Sequence, residues 1–375
     1  MPHSPRTALV ISGGTARGAY AAGLLQRLFA GAPQLAQHVQ ILSGTSTGSL
    51  IAPMLGLYCL DPVGHADLLD VIVRHYEVAS TEVFRDEPTS LLWSIVRRVL
   101  SLFGVSPTEA RMAAMLGETG AVVDPTPLRR TIETEYHDGR LAELFAARDR
   151  LECLINCVSM QTGSLVAFSS ADPRMSPAKY REAIYASCMQ PVFMPLVPIA
   201  DATGATQEYI DGGIRDVVPV DAAWRAGATR VLAISLYPDD LASHATTERF
   251  AGRAQLLNLT QRVVVGLLDD EVQDDDLLQA RYLSTIGKLV GFAVRHGASP
   301  EALGELLASL SDEERARFEG PLVFDRLYVH RPSATAPLVD ALRWDTGGMR
   351  ASIEAGRAAA DGDEGRGMRD FLMAP

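Results

Sequence analysis

The sequence predicts an α/β protein: three α/β/α layers around a mainly parallel sheet, with a mostly helical extension at the C-terminal end. Three observations lead there. Short apolar runs of strand length recur at residues 7–12, 151–158 and 230–237. Helix-compatible stretches stand between them. Strands that alternate with helices imply a mainly parallel sheet covered on both faces. Finally, the character of the chain changes after Pro238, where the strand-helix alternation gives way to largely helical text. The chain has 375 residues, 47% hydrophobic and 21% charged, which is ample for a large core. The expected division is an α/β unit over residues 1–240 and a mostly helical region over residues 241–375, packed on it.

Taken in order, residues 7–12 form the first strand and residues 13–18 a glycine turn. Residues 19–29 show helical spacing at Leu24, Leu25, Leu28 and Phe29. Val39, Ile41 and Leu42 begin a second strand that runs into residues 44–48, and a helix-compatible run covers residues 49–60. Pro53 lies inside that run and is expected to kink or shorten the helix, because it removes a backbone donor. Leu68, Leu69, Ile72, Val73 and Tyr76 predict an amphipathic helix over residues 64–79. Residues 89–105 are more apolar; they read as a core helix, with a lipid-dipping lid as the alternative. Pro125 and Pro127 open a helix that runs to Tyr136.

Residues 151–158 and 164–168 read as strands joined by a turn at 161–163, and residues 180–188 as a helix. A strand containing Tyr209 and Ile210 ends at Asp211-Gly212-Gly213. A helix over residues 221–226 leads to the strand at 230–237. Residues 247–296 are expected to be largely helical. The acidic run at residues 269–276 interrupts them and reads as a solvated face or turn, without the spacing of a calcium loop. A strand over residues 322–330, a helix over 349–360 and a frayed tail over 361–366 complete the expectation.

Charge and composition narrow the function. The net charge is −12 and no basic run is present, which argues against nucleic acid as a partner and offers no electrostatic help at an anionic membrane. Neither a signal peptide nor an apolar run of about 18 residues is visible, so the expected location is cytoplasmic or peripheral to a membrane. The four cysteines are Cys59, Cys153, Cys157 and Cys188. Cys153 and Cys157 share a predicted strand about 13 Å apart, too far for a disulfide, and lack a second pair of zinc ligands. Buried, reduced thiols are expected.

Two turns carry the chemistry. Gly44-Thr45-Ser46-Thr47-Gly48 is a Gly-x-Ser-x-Gly pattern between strand-like and helix-like text. A serine on such a turn stands proud of the sheet in a crowded backbone conformation, and the following helix aims free N–H groups at the reacting centre. Gly13-Gly14-Thr15-Ala16-Arg17-Gly18 follows the first strand and makes an anion cradle. A dinucleotide would use similar parts, but Gly-x-Gly-x-x-Gly is not met and no acidic residue ends a second strand about 20 residues on. The cradle's other use is an oxyanion hole.

Alone, each motif is weak. Together with Ala186-Ser187-Cys188-Met189-Gln190-Pro191-Val192-Phe193-Met194-Pro195, and Asp211-Gly212-Gly213 followed by Pro219-Val220, the chain resembles the patatin-like phospholipase family over about residues 7–237. The resemblance implies a Ser–Asp dyad without histidine. Ser46 would be the nucleophile that forms an acyl-enzyme, and Asp211 the general base. Backbone N–H groups of Gly13, Gly14, Thr15 and Thr47 would hold the oxyanion. Arg17 would brace the cradle, with Gly18, Gly44, Gly48, Gly212 and Gly213 as motif support. No metal or organic cofactor is implied. The substrate would be a lipid ester, phospholipid or lysophospholipid, with peripheral membrane contact. Two departures stand out: Thr15 replaces the family's third glycine, and residues 215–218 replace its asparagine-rich text after Asp211.

Three other readings use the same residues. An α/β-hydrolase would need a late histidine, for which His296 and His330 lie in the right order. An inactive relative would keep the fold and bind lipid or a protein partner. An acyltransferase would pass the same acyl group to an alcohol rather than to water.

Overall fold

The computed structural model describes residues 6–82, 125–191, 194–200, 204–238, 326–339 and 345–374, and scattered residues from 272 to 305. The strands are β1 (Thr7–Ile11), β2 (Ile41–Thr45), β3 (Glu152–Ser159), β4 (Leu165–Ser169), β5 (Val197–Ala200), β6 (Thr206–Asp211), β7 (Arg230–Ile234) and β8 (Arg326–His330). They form one sheet in the order β5-β6-β3-β2-β1-β7-β8, with β4 also paired to β3. The run β3-β2-β1-β7-β8 is parallel throughout. The flank formed by β4, β5 and β6 is antiparallel, so the sheet is mixed. Strands β1, β2 and β7 are buried along their whole length, as the continuous apolar text of a covered parallel sheet requires.

Helices pack around this sheet. They are α1 (Gly18–Gly31), α2 (Thr47–Leu60), α3 (Leu68–Glu82), α4 (Thr126–Glu135), α5 (Asp138–Ala146), α6 (Pro177–Ser187), α7 (Val220–Arg225), α8 (Thr346–Asp361) and α9 (Asp363–Met373). Helix α2 is apolar on all sides and buried on nearly all of them, packed against β2, β3, α3 and α5. It runs on through Pro53, so the shortening expected there does not occur.

Two C-terminal expectations change. Residues 361–366 are not a frayed tail. Gly362 ends α8, and Asp363 begins α9, whose Met368 and Leu372 are buried. The Arg230 guanidinium lies over the Phe371 ring and donates to the carbonyls of Phe371 and Ala374, which ties α9 to β7. The C-terminal region also completes the sheet rather than only covering it, since β8 pairs in parallel with β7. Helix α8 lies against α1, where Gly23 approaches the Ile353 backbone and Gly356 approaches the Tyr20 backbone. The apolar segment at residues 89–105 lies outside the described residues. Of the acidic run, the described residues are Val272 and Asp276.

All four cysteines are free and buried, as expected. Burial pushes the Cys59 and Cys188 thiols up to about 12, so they are inert at neutral pH.

Candidate active site

The register of β3 explains how two distant stretches meet. One edge of β3 pairs with β4 through Leu154–Val158. On the opposite edge, Glu152 to Asn156 pair with β2, and Cys157 to Ser159 pair with β6. Strands β2 and β6 therefore share one edge of β3 and run toward each other. Thr45 sits opposite Asn156, and Asp211 sits opposite the next residue, Cys157. Ser46 follows directly on Thr45. Residues 165 positions apart are thus brought together by backbone pairing alone.

Ser46 has φ 54° and ψ −121°, a left-handed conformation that L residues rarely adopt. Its N–H donates to Ser187 Oγ at 3.0 Å, and Ser187 Oγ donates to the Asn156 carbonyl at 2.7 Å. Its carbonyl accepts from Ser49 N at 2.9 Å and from Ser49 Oγ at 2.5 Å. The elbow is therefore held at both backbone ends while its side chain stays uncommitted to packing. Gly44 and Gly48 let strand and helix close up: a Cβ on Gly44 would strike the Gly48 carbonyl, and a Cβ on Gly48 would strike the Ile11 carbonyl.

Asp211 is buried, and the strand register sets it beside the Ser46 elbow. Its Oδ1 accepts from Gly213 N at 2.8 Å. Burial pushes its carboxyl up to about 6, while the Gly213 N–H and the Ser46 hydroxyl pull the other way. Gly212 passes so close to the Asn156 carbonyl, 2.6 Å from where a Cβ would be, that only glycine fits without a shift. The Gly-Gly pair thus turns the chain away sharply and supplies a donor to the carboxylate.

The cradle adjoins the elbow: a Cβ on Gly13 would lie 3.3 Å from Ser46 Cβ. Gly14 has φ 156°, and Thr15 has φ 49°. Among the described residues, Thr15 and Ser46 are the non-glycine residues with positive φ, and both belong to this site. Such strain persists where surrounding structure over-determines it, commonly at functional sites. The Thr15 hydroxyl bonds back to the Gly14 carbonyl at 2.8 Å.

One expectation needs correction. The Gly13 N–H is already engaged by the Val217 carbonyl at 2.8 Å, and its carbonyl accepts from Ser12 Oγ at 2.9 Å. Gly13 is an anchor of the cradle, not a free donor. The Gly14 N–H has no protein acceptor among the described residues. The Thr47 N–H, in the first turn of α2, has no intrahelical partner. Arg17 braces the turn through its own N–H, bonded to the Gly14 carbonyl at 2.9 Å, and its guanidinium stacks on Tyr237, 4.6 Å from the ring centre. Gly18 starts α1 against the side chains of Thr47 and Tyr76, which bond to each other.

The family model for patatin-like phospholipases matches residues 9–224, more than half the chain, and takes in both turns, Ser46 and Asp211. The chain belongs to the patatin-like phospholipase family. Its solved-structure likenesses are remote. VipD from Legionella pneumophila is 13% identical, with 95% of this chain and 67% of that chain covered and a TM-score of 0.34. The ExoU chain of the ExoU–SpcU complex, from the type III secretion system of Pseudomonas aeruginosa, is 16% identical, with 99% and 72% covered and a TM-score of 0.24. No curated protein matches the chain.

Three supporting residues had no assigned role in the sequence reading: Asn156, Ser187 and Tyr76. Asn156 is a buried amide inside an apolar strand, and its Nδ2 holds the Ser43 hydroxyl at 3.1 Å and the Gly44 carbonyl at 2.9 Å. A lone amide in apolar strand text was the signal that could have found it. His330, the histidine of the rival triad, is buried against Tyr20, with Nε2 2.9 Å from the Tyr20 hydroxyl. Glu364 lies 3.7 Å from its Nδ1. Burial lowers its pKa to about 4, so it is neutral at physiological pH. His296 packs on Phe292. Among the described residues no helix is long and apolar enough to cross a membrane.

Proposed function

We propose that this patatin-like phospholipase is a serine lipid acyl hydrolase of phospholipase A or lysophospholipase type. It would cleave carboxylic esters through a Ser46–Asp211 dyad and an acyl-enzyme. The observation that carries the reading is the strand register that sets the Ser46 elbow beside the buried Asp211 carboxyl, whose pKa burial pushes up to about 6. Such a carboxylate is ionised at neutral pH yet poorly solvated, as a general base must be.

In this reading Asp211 takes the Ser46 proton as Oγ attacks the ester carbonyl. The carbonyl oxygen becomes an oxyanion, and the Gly14 and Thr47 N–H groups are its candidate donors, with Thr15 a third from the same turn. Collapse of the tetrahedral intermediate breaks the ester C–O bond, and Asp211 returns the proton to the leaving alcohol. Water then repeats the cycle: Asp211 takes its proton, hydroxide attacks the acyl carbon, and the proton returns to Ser46. The step needs no cofactor. A lipid substrate follows from the family, and a peripheral membrane approach is part of the same proposal.

Labelling with a fluorophosphonate probe, followed by peptide mapping, tests the reading. The expected result is a label on Ser46 of the wild type and none on Asp211→Asn. Absence of label in the presence of lipid vesicles would instead favour a lipid- or partner-binding relative. Replacing His296 and His330 separates the dyad from a histidine triad. Folded protein with both replaced keeps its label if the dyad is right and loses it if a histidine is the base.

A further inference from the structure

The Gly13 anchor leads to an unexpected place. Its N–H bonds to the Val217 carbonyl at 2.8 Å, so the cradle is only as well placed as the peptide chain at residues 217–218. That segment lies outside regular secondary structure, between the turn at Gly212–Ile214 and α7. Its N–H groups have one acceptor. Asp276 Oδ2 takes Val217 N at 2.8 Å and Val218 N at 3.0 Å. Asp276 comes from beyond the strand β7, in the run that the sequence suggests is a solvated face.

Asp276 is not a loose surface acid. The neighbouring Leu277 and Ala280 are buried in the main core. Asp216 is also buried, close to Asp276 and Asp221. Burial, and then the nearby Asp276 and Asp221, push the Asp216 carboxyl well above the usual carboxylate range. One carboxylate oxygen thus accepts both backbone N–H groups of the segment. A metal reading of these acids is not supported: among the described residues no group of three or more His, Cys, Asp and Glu is arranged to hold an ion.

We infer that Asp276 is a positioning residue for the oxyanion cradle, acting through the 217–218 backbone and the Val217-to-Gly13 hydrogen bond. It touches neither substrate nor Ser46. It sets where the Val217 carbonyl stands, which sets Gly13 and hence the Gly14 donor. The inference deepens the function proposed above and rests on it. It also gives residues beyond 240 a role in the chemistry, since the site would be incomplete without them.

The test compares Asp276→Ala, Asp276→Asn and Asp276→Glu in the full chain. Asn keeps an oxygen for both N–H groups; Glu keeps the charge but moves the carboxylate. We expect Ala and Glu to lower kcat on a soluble ester, and the fluorophosphonate labelling rate, by about tenfold or more. That is short of the ~10²–10³ lost with an oxyanion donor itself. KM should change less than about threefold, and Asn should stay close to wild type. Hydrogen exchange read by mass spectrometry should show faster exchange at Gly13 and at residues 217–218 in Ala and Glu, with protection restored in Asn. Wild-type kcat in Ala would overturn the inference, as would Glu matching wild type while Asn fails, since charge alone would then matter. Exchange at Gly13 that ignores all three variants would overturn it even in a protein that never labels at Ser46. Absence of wild-type labelling is a failure of the proposed function alone, and exchange still decides the relay.

Discussion

A carboxyl raised to about 6 is mostly ionised at pH 7 and mostly protonated at pH 5. On the dyad reading, kcat/KM should fall on the acid side with a midpoint near 6, measured as an ester hydrolysis profile; a flat profile down to pH 4.5 would exclude Asp211 as the base. The same shift bears on stability. Asp211's folded pKa lies above its unfolded value, so between about pH 4 and 6 the folded state holds the proton and the unfolded state does not. Stability from this group is therefore greatest below pH 4 and is lost as pH rises through 6. Asp211→Asn should cut turnover by about 10²–10⁴-fold. It should also raise the unfolding free energy at pH 8 by on the order of 1–3 kcal/mol, with little gain at pH 4. A variant that lost activity without that pH-dependent gain would put the burial argument in doubt. At Gly14, a valine would need φ 156° and would sit 3.0 Å from Leu236 Cβ. Gly14→Val should thus cost far more in labelling rate than in thermal stability.

Between elements, close approach dominates. Strand β1 and helix α2 meet at Ile11 and Gly48, and a methyl at Gly48 would strike carbonyl oxygen rather than a yielding side chain. Gly48→Ala should destabilise by about 2 kcal/mol or more, read by denaturant unfolding, and the surviving folded fraction should label slowly because the elbow has been displaced. The α1–α8 crossing works the same way. Gly356 faces the backbone of Tyr20, in the helix that follows directly on the cradle. The pairing of β2 and β6 along one edge of β3 matters more than any side chain. It sets the distance from elbow to base before either side chain is placed.

For the molecule as a whole, residues beyond 240 are structural parts of the sheet and of α1's cover. Helix α8 packs on α1 and α3, α9 is clamped by Arg230, and His330 of β8 bonds to Tyr20 of α1. A chain ending at residue 344 would expose the face of α1 around Tyr20, Gly23 and Leu24. It should fail to give soluble, fluorophosphonate-reactive protein. A well-folded, reactive truncation would show instead that the family-matched residues 9–224 suffice with little help.

Much of the fold and the candidate site was legible locally. The alternation of apolar runs with helical spacing gave the α/β class, because periodicity records which faces are buried. The elbow and cradle were legible because unusual backbone angles demand glycine, and Asp211-Gly212-Gly213 because a tight turn does. What the residues could not reveal depends on who pairs with whom. The antiparallel flank, the meeting of β2 and β6 on one strand edge, and the entry of β8 into the sheet are long-range pairings with no local period. Gly13 shows the same limit at the scale of one atom. Its sequence context made it a donor to substrate, and only the Val217 carbonyl, brought in by the tertiary structure, made it an anchor. Helix α9 likewise looked like a polar tail until Met368 and Leu372 found the core. Local text determines conformation; tertiary contact decides which donors and acceptors are left free, and therefore which of them can do chemistry.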